Sequence, residues 1–289
     1  MKKIKLSVAI AVFNEEENIE RCLNSVRQLA DEIVVVDGGS TDKTALIAKE
    51  MGAKVIAANN PPIFHINKNK AIDLCSGEWI LQLDADEEVS KELGLEIKKV
   101  IKLSNDELLK REFSPKKKDL FERHRKLLEE RDGRIGEEGE IAAFFIARKN
   151  FFLGKFLNYG GVYPDGVIRL FKKGKARLPA KNVHEQFKVD GEVSWLENDL
   201  YHYDAPTFSR YLLRSNKYTS LTAKEYEQKK IPLNFANFLK YMFFLPFWRA
   251  ALMLFRHKGI LDGFPGIVFA IYSGLHIRSS YVKYKEAVK

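Results

Sequence analysis

The sequence predicts an α/β fold: a doubly wound, mostly parallel sheet followed by a helical C-terminal extension. Three observations carry this. The first hundred residues alternate between short, continuous apolar runs and stretches of helical period. Several apolar runs end on a polar or acidic residue, and beyond residue 206 they give way to apolar, aromatic and basic segments. Strand-helix alternation of this kind builds a parallel sheet with right-handed crossovers.

Leu6 to Val12 is apolar almost throughout, as in a strand buried on both faces. Asn14 reads as a helix N-cap, with Glu17 completing a capping box, and Ile19, Cys22, Leu23, Val26 and Leu29 follow at helical spacing. Ile33 to Val36 is a second buried strand, closed by Asp37. The turn from Gly38 to Ser40 leads to a helix over about 41–51, and Lys54 to Ala57 is a third strand. A helix over about 67–75 precedes a fourth strand, Glu78 to Leu83, which ends at Asp84. Ligands of such sheets bind beyond the carboxyl ends of the strands, where Asn14, Asp37 and Asp84 all stand.

Residues 102–140 are dense in charge of both signs. Within them Leu120, Phe121, His124, Leu127 and Leu128 form one stripe, so an amphipathic helix is expected there, read as a solvated excursion or as a flap near an acceptor site. Strand-like runs return at 141–148 and 166–173. A helix follows Pro206, with Phe208, Tyr211, Leu212 and Tyr218 on one side.

The chain has 289 residues and is 45% hydrophobic, enough for a real core and against wholesale disorder. Its N-terminal apolar run is short and meets three glutamates, so it is expected not to be a signal peptide. Cys22 and Cys75 fall on apolar helix faces and are expected to be buried free thiols. No Cys/His ligand spacing supports a structural zinc. The net charge is +9, but residues 229–289 hold ten Lys or Arg against two acids, which concentrates +8 there. That points to a polyanionic surface, and the interleaving of these cations with Phe, Leu, Met and Trp suits lipid better than nucleic acid. Phe235 to Phe255 has only Lys240 and Arg249 as charges and is interrupted by Pro246, while Gly263 to Ile277 has none over 15 residues. A span needs roughly 20 apolar residues, so the second run suits an interfacial or re-entrant element. A pair of helices packed on the catalytic domain is the alternative.

Two motifs carry chemistry. In GEWILQLDADEE (Gly77 to Glu88) a buried strand delivers Asp84 and Asp86, which repel one another unless a cation sits between them. Oxygen ligands suit Mg²⁺ or Mn²⁺ with further ligands from substrate phosphates. In VVVDGGSTD (Val34 to Asp42) Asp37 ends a strand where an acid can accept from a base N–H or a ribose hydroxyl, and the glycines let the backbone approach a flat ligand. The plainer readings are an acidic capping turn and a tight βα turn.

Together these motifs, with VAIAVFNEEENI (Val8 to Ile19) and KNKAI (Lys68 to Ile72), resemble family 2 of the inverting glycosyltransferases, which have the GT-A fold. GGVYPDGVIRLF (Gly160 to Phe171), VHE (Val183 to Glu185) and KGILDGFPG (Lys258 to Gly266) resemble the branch that contains bacterial lipopolysaccharide core-region enzymes. The resemblance implies that the stretch Ala11, Val12, Asn14 and Glu15 wraps the nucleoside and that Asp37 contacts the nucleobase. It puts Lys68 near the base or phosphates, Asp84 on the ribose or a metal-bound water with Ala85 beside it, and Asp86 on the Mg²⁺ or Mn²⁺. His184 and His202 are further metal or diphosphate candidates. Glu185 is the preferred general base and Asp165 the reserve. The family often has two acids where this chain has Asp37-Gly38.

The implied activity is sugar transfer with inversion from a nucleotide-diphosphate donor, a UDP-sugar by the resemblance, to a hydroxyl of a membrane glycolipid such as lipopolysaccharide core. A polyprenyl-phosphate acceptor is the alternative. A sugar-nucleotidyltransferase is more remote, since FNEEEN stands where such enzymes carry a Gly-rich phosphate loop, and so is a basic nucleic-acid-binding module. The expected organisation is a catalytic domain over 1–205 and a basic, membrane-associating helical region over 206–289. It would rest, peripheral or monotopic, on the cytoplasmic face of the inner membrane. The expected partners are the donor, the glycolipid and an anionic membrane surface, with no nucleic acid and no protein.

Overall fold

The computed structural model describes residues 5–180 and 186–288. The chain forms two compact units, Met1–Arg148 with Pro164–His202, and Lys149–Tyr163 with Tyr203–Lys289.

The first unit is built on β1 (Leu6–Val12), which lies between two parallel neighbours, β2 (Glu32–Asp37) and β4 (Trp79–Leu83). The outer parallel strand is β3 (Lys54–Ala57). The chain therefore steps from β1 to β2 to β3 on one side, then crosses to β4 on the other. Such a reversal opens a crevice at the carboxyl ends of β1 and β4, because the two crossovers lead away from each other. The apolar runs do what their composition requires: Leu6, Val8, Ile10, Val34, Val35, Ile80, Leu81 and Leu83 are all fully buried. The helices α1 (Ile19–Val26), α2 (Thr44–Glu50) and α3 (His65–Leu74) are the crossovers.

The second half of this unit adds antiparallel strands to the parallel four. β8 (Asp165–Lys172) pairs with β4, and β6 (Ile141–Phe152) pairs with β8. β12 (Leu200–Ala205) comes next, and then β5 (Glu87–Val89) closes the path, with His202 opposite Glu87. β5 follows β4 by three residues yet ends this sheet path far from it. The sheet therefore curls, and the link Asp84-Ala85-Asp86 runs from the central strand β4 to β5 at the end of the path. β7 (Lys155–Phe156) pairs with the end of β6, β9 (Ala176–Arg177) pairs with β10 (Lys188–Val189), and β11 (Glu192–Trp195) pairs parallel with β6.

Two sequence expectations change here. Asn14 is not a helix N-cap. Its φ is +55°, α1 starts only at Ile19, and its Oδ1 accepts from Thr41 N at 2.8 Å. The side chain that would have capped α1 ties two loops together instead. The charged stretch is not a solvated excursion along its apolar face. After α4 (Lys91–Val100) and α5 (Asn105–Leu109), its long helix α6 (Pro115–Asp132) stacks the buried Phe121 on Trp195 at 4.2 Å, and His124 Nε2 accepts from Gly166 N at 3.1 Å. Leu128 is buried while Leu127 is exposed. Arg125 and Lys117 donate to the carbonyls of Val193 and Glu197, so the helix's charges bind the backbone beneath it.

The second unit is mainly helical. Thr207 caps α7 (Phe208–Gln228), whose Phe208 and Tyr211 meet Tyr272, while Leu212 and Tyr218 of the expected stripe stay exposed. An apolar helix, Phe235–Arg256, follows and carries π-turns at Lys240–Phe244 and Leu252–Arg256. Pro246 does not break it. Proline has no N–H to give the carbonyl four residues back, and the freed Met242 oxygen accepts from Arg278 Nε of the terminal helix, Phe264–Ala287, at 2.9 Å. Gly274 of that helix lies against the Pro246 carbonyl, where any Cβ would collide. KGILDGFPG is an architectural motif of the same kind. Buried Asp262 accepts from Asn158 N and Tyr159 N at 3.1 and 2.9 Å, and Gly266 packs on the Gly259 carbonyl.

Candidate functional site

Three strand ends build the crevice floor. At the end of β2, Asp37 is buried, and both its oxygens accept hydrogen bonds from the Ser40 backbone and hydroxyl. The segment after β1 is lashed to the same turn: Asn14 N donates to Ser40 Oγ at 2.9 Å, and Glu15 N to Thr44 Oγ1 at 2.8 Å. Lys43 N donates to Glu16 Oε2 at 3.0 Å and Glu16 N to Asp42 Oδ2 at 3.2 Å. Two loops distant in sequence thus form one rigid rim. Gly38 belongs to it because a Cβ there would press on the Val12 carbonyl at 3.3 Å and on Asn67 at 3.4 Å. Ala11 and Val12 are the last residues of β1, beneath this rim.

At the end of β4 lies an ion network. Lys68 of α3 meets Asp84 Oδ1 at 2.5 Å, and Arg169 of β8 meets Asp84 Oδ2 at 2.7 Å. The same Arg169 nitrogen reaches Glu87 Oε1 at 2.7 Å, and the other donates to Gln82 Oε1. Arg148 of β6 bridges Glu87 at 3.4 Å and Asp165 at 2.7 Å. Burial alone would raise the Asp84 carboxyl, but Arg169 and Lys68 outweigh it and hold it well below the usual range. Burial likewise disfavours the Arg169 cation, and Asp84 and Glu87 more than restore it. Both oxygens of Asp84 therefore face protein cations.

Asp86 points elsewhere. Its carboxylate lies 3.6 Å from His202 Nε2 on β12, and both side chains are only slightly exposed. Asp204 follows two residues on along the same strand, on the same side as His202. Carboxylate oxygen with imidazole nitrogen is a donor set suited to a divalent metal, and it leaves positions open for phosphate oxygens. The structure thus brings Asp37, Lys68, Asp84, Ala85, Asp86 and His202 into the unit that also carries Asp165. Glu185 and His184 lie outside the described residues. Cys22 and Cys75 are buried free thiols, pushed up by burial, Cys75 to about 12.

Sequence reading missed Arg148, Arg169, Glu87 and Gln82. A signal existed for Arg169, since GVIRLF places one charge inside an otherwise apolar strand. A charge at such a position must be paired, but its partners lie more than eighty residues away.

The curled α/β sheet, with its acidic strand ends and a helical C-terminal region, defines the class: an enzyme of the GT-A type. The profile of Glycosyl transferase family 2 matches residues 7–174, more than half of the chain, and the chain belongs to that family. It is 28% identical over 295 residues to an uncharacterized glycosyltransferase of Rickettsia felis, covering 98% of this chain and 93% of the relative. The match to a Rickettsia bellii glycosyltransferase is 45% identical over 104 residues and spans about a third of either protein, 36% and 35%. Another relative is the lipopolysaccharide core biosynthesis glycosyltransferase LpsC of Rhizobium meliloti, 27% identical over 293 residues, 95% of this chain and 92% of that one. Among solved structures, glucosyl-3-phosphoglycerate synthase of Mycobacterium tuberculosis with Mn²⁺, UDP and glucosyl-3-phosphoglycerate is 28% identical over 29% of this chain and 34% of that chain, with a TM-score of 0.27.

Proposed function

We propose that this enzyme transfers a hexose, with inversion, from a UDP-sugar to a hydroxyl of a membrane-anchored glycolipid of the lipopolysaccharide-core type. The observation that carries the reading is the division of labour in D-x-D, with Asp84 turned onto Lys68 and Arg169 and Asp86 turned toward His202. The near full-length similarity to LpsC supports the acceptor class.

In this reading Asp37 accepts from the uracil edge or ribose, while the rim from Ala11 to Glu15 encloses the nucleoside. Ser40 already orients the Asp37 carboxylate, which still has acceptor capacity. Asp86 and His202 would hold Mg²⁺ or Mn²⁺, with His184 a further candidate. When bound, the ion supplies Lewis-acid stabilisation of the leaving diphosphate. Lys68, beside Asp84, adds positive charge for the same phosphates. The acceptor oxygen attacks the anomeric carbon from the face opposite the diphosphate and its proton passes to a carboxylate, so the new C–O bond forms as the old one breaks.

Asp165 has one oxygen committed to two guanidinium hydrogen bonds from Arg148, at 2.7 and 3.0 Å, which weakens it as a proton acceptor. That favours Glu185 as base. Residues 1–205 act as the catalytic domain in this reading, with 206–289 resting on the cytoplasmic leaflet. Among the described residues, Phe235–Arg256 is long and apolar enough to cross a bilayer by length and composition, and only 11% of its most apolar window is buried.

The test is Asp86→Asn, assayed with UDP-glucose and Mn²⁺ alongside wild type in excess EDTA. Turnover should fall at least about 10²-fold in both, with the thermal melt of apo protein unchanged. Full activity in either case removes the metal from the mechanism.

A further inference from the structure

The second unit contains a groove that the transfer reaction does not use. It lies between the apolar helix Phe235–Arg256 and the terminal helix Phe264–Ala287, with a volume of about 750 Å³. Leu239, Phe243, Phe247 and Ala250 line one wall, and Ile271 and Leu275 the other. Its geometry is fixed by the Gly274–Pro246 approach and by Arg278 on the Met242 carbonyl.

These two contacts also give the groove a direction. Arg278 stands beside Met242 and Gly274 beside Pro246, so the helices run antiparallel and Ile271 is carried toward Ala250. The cations lining the groove, Lys240 and Arg278, therefore stand at one end, while Phe247, Ala250 and Ile271 occupy the other. Among the described residues neither cation has a carboxylate partner. The only acids beyond residue 228 are Asp262, buried and spent on backbone N–H groups, and Glu286.

Size and polarity select the occupant. From Leu239 to Ala250 the helix rises ~16 Å at ~1.5 Å per residue. One leaflet of a bilayer has a hydrocarbon depth of about half of ~30 Å. The groove thus matches one lipid chain in one leaflet, with two cations at the depth of its phosphate. A second copy of the chain fits less well, since it would set like charges together at Lys240 and Arg278.

We propose that this groove seats one acyl chain of an anionic phospholipid, with its phosphate held between Lys240 and Arg278. The inference rests on the membrane reading above and deepens it. The apolar helix does not merely touch the leaflet; it takes a single lipid out of it as a fixed part of the enzyme.

The test uses the full chain in neutral-detergent micelles doped with phosphatidylglycerol or phosphatidylcholine, read by native mass spectrometry. Flotation with vesicles of the same lipids runs in parallel. Wild type should retain one phosphatidylglycerol per chain and little phosphatidylcholine. Ala250→Trp fills the groove while keeping the surface apolar, so it should cut the retained lipid at least about tenfold and still float. Ile271→Trp replaces it if that variant melts early. Lys240→Gln should retain phosphatidylglycerol and phosphatidylcholine about equally. Equal retention by wild type and the folded tryptophan variant, with flotation intact, overturns the groove but not the membrane reading. Failure of wild type to float with either vesicle removes the membrane reading itself. A dimer that Ala250→Trp dissociates would assign the groove to a second copy and refute the lipid.

Discussion

Arg169→Gln isolates what burial does to an ion pair. Arg169 meets Glu87 at 2.7 Å with the carboxylate fully buried, and meets Asp84 at the same distance. Arg177 meets Asp73 at 2.8 Å, an almost identical contact, but both side chains are more than half exposed. Coulomb attraction in water is weak and screened, so the exposed pair contributes at most about 1 kcal/mol. Removing Arg169 leaves Glu87 with Arg148 at 3.4 Å and Asp84 with Lys68. A buried charge stripped of a partner costs about 3–5 kcal/mol. At ~2–4 °C per kcal/mol for a domain of this size, Arg169→Gln should lower Tm by roughly 6–20 °C, and Arg177→Gln by no more than ~4 °C. Differential scanning calorimetry at neutral pH makes the comparison. Glu87→Gln added to Arg169→Gln should cost far less than the sum of the two, because the stranded charge is gone. Equal losses from Arg169→Gln and Arg177→Gln would refute the argument that this network is electrostatically dry.

Two further outcomes follow from the site and a third from α6. Asp37→Ala should raise the donor KM about tenfold or more with little change in kcat, the signature of lost uniform binding; calorimetry showing unchanged UDP affinity would leave Asp37 a turn residue only. Glu185→Gln should lower kcat about 10²-fold while UDP binding persists, and Asp165→Asn should cost less; the reverse ranking exchanges their roles. Burial holds the His124 pKa below its ordinary value despite the nearby Asp165 carboxylate, and the neutral ring accepts from Gly166 N through Nε2. The unfolded chain then binds a proton that the folded one refuses, so this contribution is full above about pH 6.5 and falls as pH drops below it. Urea melts should show a slope of up to ~1.4 kcal/mol per pH unit that His124→Gln flattens; an unchanged slope would show that His124 does not carry the effect.

Residue order is enough to place the parallel half of the sheet and its acids. Strands buried on both faces must be continuously apolar, so β1, β2 and β4 were legible, and Asp37 and Asp84 stood where those runs stopped. The family motifs were legible for the same local reason, being short runs at strand ends. The basic, apolar C-terminus could be read from composition alone, because charge and hydropathy need no partner to be counted. Asn14 escapes a local reading because an Asx side chain can cap a helix or bind a distant loop, and only Thr41, twenty-seven residues on, decides between them. Likewise α6 looked half-solvated until Trp195 and Gly166 were brought beneath it. Which of the two D-x-D carboxylates is spent on Lys68 and Arg169, and which faces His202, is set by the folded chain. Those partners sit on α3, β8 and β12, and the energy of a buried charge depends on what stands within a few ångströms of it rather than on its neighbours in sequence.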